Sequence, residues 1–319
     1  MAAGRRIVVG LSSVAVVVLA GCGGGPSTTP QLGLDSGPRP SGEFSIAVAT
    51  PPGPVDPLLA NSRSSLLLTS QIHEPLVARL EAPFESVAQR RGLARAWRAN
   101  PSSTVWTFRL RSRVRFQDGS LLDAGAVQAN VNRWLSSERV AAVLPELAYA
   151  DRPLPKQVRI FLTAPVVNLD EILAAPLFGI VSPEALPADG AAGPLVARRG
   201  TGSGPFELRE RSAEEVVLAR YAGWWGTRYR LGPGVDALRL LVVESAPQRL
   251  RLLRSGDLLG ADDLGPAEQR RAARDPLLAV VHGSSRNDET ALALSRSVRG
   301  LDSSDPQNLS DLWLTRLSG

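Results

Sequence analysis

Val105-Trp106-Thr107-Phe108-Arg109-Leu110-Arg111 alternates without a break. Trp106, Phe108 and Leu110 fall on one side of an extended chain, and Thr107, Arg109 and Arg111 on the other. Successive strand residues point to opposite faces, so the pattern predicts a strand with one face buried and one wet. Val114-Arg115-Phe116 continues in the same style, and Asp118-Gly119 is a turn dipeptide. Asp123 then fits as the N-cap of a helix whose core stripe is Val127, Val131, Trp134 and Leu135.

Working outward toward the N-terminus, Gly92 to Trp97 reads as a short amphipathic turn. Phe44 to Ala49 has a strand pattern ended by Thr50-Pro51-Pro52-Gly53-Pro54, with Val55 to Leu58 a loop. Asn61-Ser62-Arg63 leads a helix through Leu66, Ser70 and Ile72, which Pro75 ends or kinks, and Leu76 to Leu80 is an extended run. Toward the C-terminus, Val158, Ile160 and Leu162 form one face of a strand, and Leu169 to Leu177 looks helical. Gly200-Thr201-Gly202-Ser203-Gly204-Pro205-Phe206 is a glycine-rich turn into a strand, Phe206 to Glu210, which pairs as a hairpin with Val216 to Arg220. A strand over Ala237 to Glu244 and a helix over Gln248 to Arg254, stopped by Gly256, follow. Leu277 to Val281 supports one more strand, whereas Ser284 to Gly319 is polar and weakly patterned.

The N-terminus carries an address. Arg5 and Arg6 precede an apolar run, Ile7 to Ala20, and Leu19-Ala20-Gly21-Cys22 closes it. This is the order of a secretory signal, and the apolar run is shorter than the roughly 20 residues of a spanning helix. The tetrapeptide resembles the lipobox of bacterial lipoproteins. That resemblance implies cleavage before Cys22, a diacylglycerol thioether on its sulfur, and a flexible Gly/Pro/Ser/Thr tether over 22–42. An ordinary buried cysteine behind an uncleaved helix is the alternative. Arg5-Arg6 also raises twin-arginine export, but Ile7-Val8-Val9 matches it poorly and the general secretory route ranks first.

Composition narrows the function. A hydrophobic fraction of 44% supports a packed core, and Cys22 is the one cysteine, so neither a disulfide nor a cysteine metal site is available to the folded part. His73 and His282 lie far apart with no metal-ligand spacing around them. The formal charge of +5 falls to +3 once Arg5 and Arg6 are removed. Lys156 is the only lysine and the arginines are scattered rather than interleaved with aromatics, so a nucleic-acid partner is not expected despite a pI near 10.2. No GxSxG, paired-carboxylate or Ser/His/Asp grouping stands out, and Gly200 to Gly204 leads into a strand rather than the helix a phosphate cradle needs. The expectation is a protein that is not an enzyme and needs no cofactor.

Five motifs in order then resemble one family. Gly92-Leu93-Ala94 with Trp97 is similar to its "LAxxW". Trp106 to Arg111 with Val114 to Gly119 is similar to "tFxLRxgvxFhdG", and Gly202 to Phe206 to "GTGPF". Tyr221 to Gly226 is similar to "YWG", and Leu253, Ser255, Gly256 and Asp257 to "L-x-S-G-x-D". These mark the bacterial extracellular solute-binding proteins of family 5, the dipeptide, oligopeptide and nickel type. Gln117 stands where a His is usual and Ala126 where an Asp is usual, and the Tyr221 to Trp225 motif has an extra residue.

The resemblance implies an α/β, periplasmic-binding-protein-like fold (type II, cluster C). A first lobe would be built from 43–62 plus 200–257, with a second lobe, 63–199, inserted between them. Relatives continue into a large closing lobe, for which only a shortened remnant, 258–319, is left here. It further implies a lipid-anchored substrate-binding component of an ABC importer, with a peptide or other small solute as ligand and ABC permease subunits as partners. The membrane would be reached through the lipid on Cys22. Asn61, Ser62 and Arg63 match the segment through which relatives touch peptide. The same tripeptide also reads as an ordinary loop and helix start. Trp224 and Trp225 read as packing between lobes before stacking on a ligand. A shortened, non-transporting surface lipoprotein, acting as an interaction module or the product of a damaged gene, is the alternative function.

Overall fold

The computed structural model describes residues 42–78, 92–187, 194–195, 199–229, 235–282 and 291–295. The expected signal, Cys22 and the expected tether up to residue 41 lie outside the described residues, as do the last residues of the extended run at 79–80 and those after 295.

Two sheets organise the chain. The larger has seven strands with β1 (Glu43–Val48) at its middle, flanked by two parallel partners, β8 (Ala237–Val242) and β9 (Gly260–Ala261). Parallel centres are covered on both faces, and Phe44, Ile46, Ala47 and Val48 are accordingly all buried. Beyond β8 the hairpin β6 (Phe206–Arg211) and β7 (Glu215–Arg220) extends one side. Beyond β9 the hairpin β10 (Leu278–His282) and β11 (Ala291–Ser295) extends the other. Helix α1 (Arg63–Ile72) places Leu67, Leu68 and Ile72 against Phe44, Ile46, Leu218 and Leu240 of this sheet. Helices α5 (Ala246–Ser255) and α6 (Pro266–Ala273) form a smaller core with Ala261 and Leu278.

The smaller sheet is antiparallel, in the order β2 (Ala94–Ala99), β3 (Val105–Leu110), β5 (Gln157–Leu162), β4 (Leu147–Leu154). Trp106, Phe108, Leu110, Val158, Ile160 and Leu162 are buried on one face, as the alternation predicts. They pack against Val127, Val131 and Trp134 of α2 (Ala124–Leu135). Asp123 caps α2 by accepting from Ala126 N at 2.8 Å. A short helix, α3 (Glu138–Val143), joins α2 to β4.

Several expectations are corrected. Residues 94–99 form strand β2 rather than a turn, because Trp97 pairs with Phe108 in the ladder. Leu135 is 43% exposed instead of closing the α2 stripe, since it lies a full residue step round the helix from Trp134. Helix α4 stops after one turn (Leu169–Ile172), and Pro176 opens a separate 3₁₀ turn. Strand β11 falls inside the stretch read as weakly patterned, where pairing with β9 and β10 supplies the order that periodicity does not show.

Candidate functional site

Strands β1, β8 and β9 run the same way, so their C-terminal ends share one edge of the large sheet. Open α/β sheets bind ligands at such edges. Val243 N donates to Val48 O and Asp262 N to Ala47 O, both at 2.9 Å, which brings the chain leaving each strand into register there. The loop after β1 returns to this edge at Asn61, Ser62 and Arg63. Asn61 is exposed. Ser62 caps α1, its Oγ accepting from Ser65 N at 3.2 Å and lying 2.7 Å from Ser65 Oγ and 3.1 Å from Ser64 Oγ. Thr50 Oγ1 joins Ser64 at 3.0 Å, and Gly53 N donates to Ser65 Oγ at 2.6 Å. A belt of hydroxyls thus closes the loop onto the helix start.

Arg63 carries the charge of this edge. Its Nε lies 2.7 Å from Oδ1 of Asp262, the residue after β9, whose side chain is 2% exposed. Burial pushes the Asp262 carboxyl above the ordinary range, and the charge and hydrogen bond of Arg63 pull it back down. Arg249 of α5 fixes the neighbouring loops, donating to Val243 O at 2.7 Å, Glu244 O at 2.8 Å and Asp263 O at 2.5 Å. The edge therefore sets Arg63, paired with a buried carboxylate, beside the exposed Asn61. Such a surface suits a ligand with carboxylate or amide groups.

A second polar cluster ties the two sheets together. The chain leaves the large sheet through 73–78 and returns through 199–205, and the crossings meet around Glu74, which is fully buried. Glu74 Oε2 accepts from Ser203 Oγ at 3.0 Å and from Trp225 Nε1 at 2.8 Å. His73 Nε2 is 3.0 Å from Thr201 Oγ1. Burial lowers the His73 pKa to about 4, more than Asp56 raises it, so the imidazole is neutral. Gly202 and Gly204 pass so close to the end of α1 that a Cβ would sit 1.9 Å from Ile72 O or 2.6 Å from Gln71 O. That close approach, rather than a phosphate, explains the glycines. Gln117 accepts the strap from the other side, its N donating to Gly202 O at 2.8 Å and its Nε2 to Phe206 O at 2.6 Å.

Two further links cross between the sheets. Asp56, in the loop after β1, forms a buried bidentate pair with Arg133 of α2, at 3.0 and 2.6 Å. Trp224 and Trp225 are 2% and 3% exposed and belong to the small sheet's core, so packing is their role. The Arg111 guanidinium lies over the Trp225 ring at 4.5 Å. The reading from sequence missed Asp262, Glu74 and the Asp56–Arg133 pair. Arg63 and Asp262 are 199 residues apart, and no local signal joins them. Cys22 lies outside the described residues.

Comparison with known proteins supplies the context of this geometry. Residues 89–303 match the family described as "Bacterial extracellular solute-binding proteins, family 5 Middle". The probable D,D-dipeptide-binding periplasmic protein DdpA of Escherichia coli is 28% identical over 236 residues, covering 72% of this chain and 44% of that protein. The glutathione-binding protein GsiB of Salmonella typhimurium is 27% identical over 169 residues, covering 52% of this chain and 32% of its own. Among solved structures, NikA from Brucella suis in complex with Fe(III)-EDTA superposes with a TM-score of 0.65 at 24% identity, over 76% of this chain and 48% of that one. AppA from Bacillus subtilis, in complex with a nonapeptide, gives 0.60 at 16% identity, over 79% and 48%. These structures share the fold. The chain spans about half the length, or less, of the relatives it matches.

Proposed function

The chain belongs to the family 5 bacterial extracellular solute-binding proteins, and from that membership we propose that it is the substrate-binding component of an ABC importer whose solute is a peptide. The observation that carries this reading is the family match over 89–303, which takes in the whole small sheet and the return to the large one. The peptide class is supported by the relatives named for binding a D,D-dipeptide and glutathione. Asn61, Ser62 and Arg63 are the proposed ligand surface, with Asp262 setting how much of the Arg63 charge is available to a peptide carboxylate. The small sheet, inserted between the crossings at 73–78 and 199–205, is held to the large sheet by the buried Asp56–Arg133 pair. Capture in the cleft is followed by hinge closure and delivery to permease subunits. We place the protein outside the cytoplasmic membrane, held by lipid on Cys22.

Deleting the gene in frame and following uptake of labelled di- to pentapeptides tests the role. The expected result is loss of uptake of at least one peptide, restored by the parent gene and not by Arg63→Glu. Uptake of every peptide at the parental rate in the deletion strain would overturn it.

A further inference from the structure

The small sheet has a second face, opposite α2, that the solute-binding role does not use. The strand register places its residues in three rows. Val105, Phe161 and Tyr149 form one row, Arg98, Thr107, Arg159 and Asp151 the next, and Ala96, Arg109, Gln157 and Leu154 the third. Among the described residues no helix packs on this face. Tyr149 is 51% and Leu154 58% exposed, and Arg98 and Arg109 are exposed with no ion pair to any described carboxylate. Tyr149 and Phe161 stack at 4.3 Å with an interplanar angle of 8°, and the Arg159 guanidinium lies 5.3 Å from the centre of the Phe161 ring. Among the described residues Asp151 is the one carboxylate in these rows, and it is paired with Arg159, its Oδ1 2.8 Å from Nε.

Charge is segregated to match. Residues 94–116 contain Arg95, Arg98, Arg109, Arg111, Arg113 and Arg115 and no carboxylate. Residues 147–162 add Arg152, Lys156 and Arg159 against Asp151 alone. The strands and turns of this sheet therefore carry a net +8, more than the +5 of the whole chain, and the remainder is net acidic. Of these, Arg98, Arg109 and Arg159 lie in the rows of the outer face, whereas Arg111 turns over the Trp225 ring.

We propose that this outer face is a peripheral docking surface for an anionic phospholipid bilayer. Basic side chains near a membrane surface each contribute attraction to acidic headgroups. A stacked aromatic pair with a phenol at its edge, beside an exposed leucine, is the amphipathic surface that settles at the headgroup boundary. The face is a sheet surface with its cations in adjacent rows, which fits a planar array of phosphates better than a soluble chain. The lipid on Cys22 would add a second, covalent attachment, but the face does not need it.

The test uses the full chain with Cys22→Ser, so that no acyl group is added, and co-sedimentation with phosphatidylcholine vesicles with and without phosphatidylglycerol. Comparing variants in this one background cancels the contribution of the N-terminal segment. Arg98→Gln and Arg109→Gln are each expected to lower partitioning onto phosphatidylglycerol vesicles about fivefold. Arg270→Gln, an exposed arginine on α6, should leave it unchanged. Tyr149→Ser should weaken vesicle binding further, and raising salt should abolish the arginine-dependent part. Circular dichroism confirms that each variant is folded. Partitioning that ignores both Arg98→Gln and Arg109→Gln overturns the proposal. So does soluble polyphosphate binding as tightly as the vesicles with no effect of Tyr149→Ser, which would make the face a site for polyanions instead.

Discussion

His73 shows how much a single buried side chain couples this fold to its surroundings. It ends α1, faces Thr201 on the returning crossing, and is only 2% exposed. Its folded pKa of about 4 lies below the 6.5 of an unburied imidazole. Between those values the unfolded chain binds the proton that the folded chain refuses, so stability rises with pH across the window and is lost as pH falls through it. The difference corresponds to on the order of 3 kcal/mol at full extent. Urea unfolding at pH 7 and pH 4.5 should therefore show a marked loss at the lower pH. In His73→Gln, which keeps a hydrogen-bonding side chain without the titration, that part of the loss should vanish. An unchanged pH dependence in the variant would place the titration elsewhere. Arg63 illustrates a different limit. Its place at a helix start is legible in the sequence, whereas its partner Asp262 depends on β9, a two-residue strand with no periodicity to read.

At the scale of elements, the strap 199–205 is the part most tightly specified. It threads between the end of α1 and Gln117, with Gly204 N donating to Ile72 O at 2.8 Å. Gly202→Ala would drive a methyl into the carbonyl of Ile72, a backbone group at the end of α1 that already accepts from Gly204 N, so no flexible side chain can yield. We expect a loss of about 3 kcal/mol or more in chemical denaturation, at the upper end of overpacking costs. A loss below about 0.5 kcal/mol would show that the crossing is loosely held. The elements legible beforehand are those whose packing is one-sided: β3 and β5 alternate because one face is buried, and α1, α2 and α5 announce themselves through Ser62, Asp123 and Gly256. Strand β2 hides because Ala, Arg and Trp do not alternate in hydrophobicity and its ladder carries a register shift between Ala94 and Ala96. Strand β11 hides because its order comes from partners far away in sequence. The proposed ligand edge was legible on one side only, at Asn61-Ser62-Arg63. Its other side is assembled by the parallel pairing of β1 with β8 and β9.

At the scale of the molecule, the two sheets are joined by two chain crossings, the buried Asp56–Arg133 pair and the Trp224–Trp225 packing. A buried pair of this kind favours one relative arrangement because losing either partner strands a charge. The strand-end edge at Asn61 and Arg63, the latter backed by the buried Asp262, is the polar surface we propose for the solute. Isothermal titration of the full chain with a library of di- to pentapeptides tests this most directly. Saturable heat is expected for at least one peptide, weakened tenfold or more by Arg63→Glu. The absence of saturable heat from every peptide, or binding indifferent to Arg63→Glu and to changes at Asn61, would contradict it.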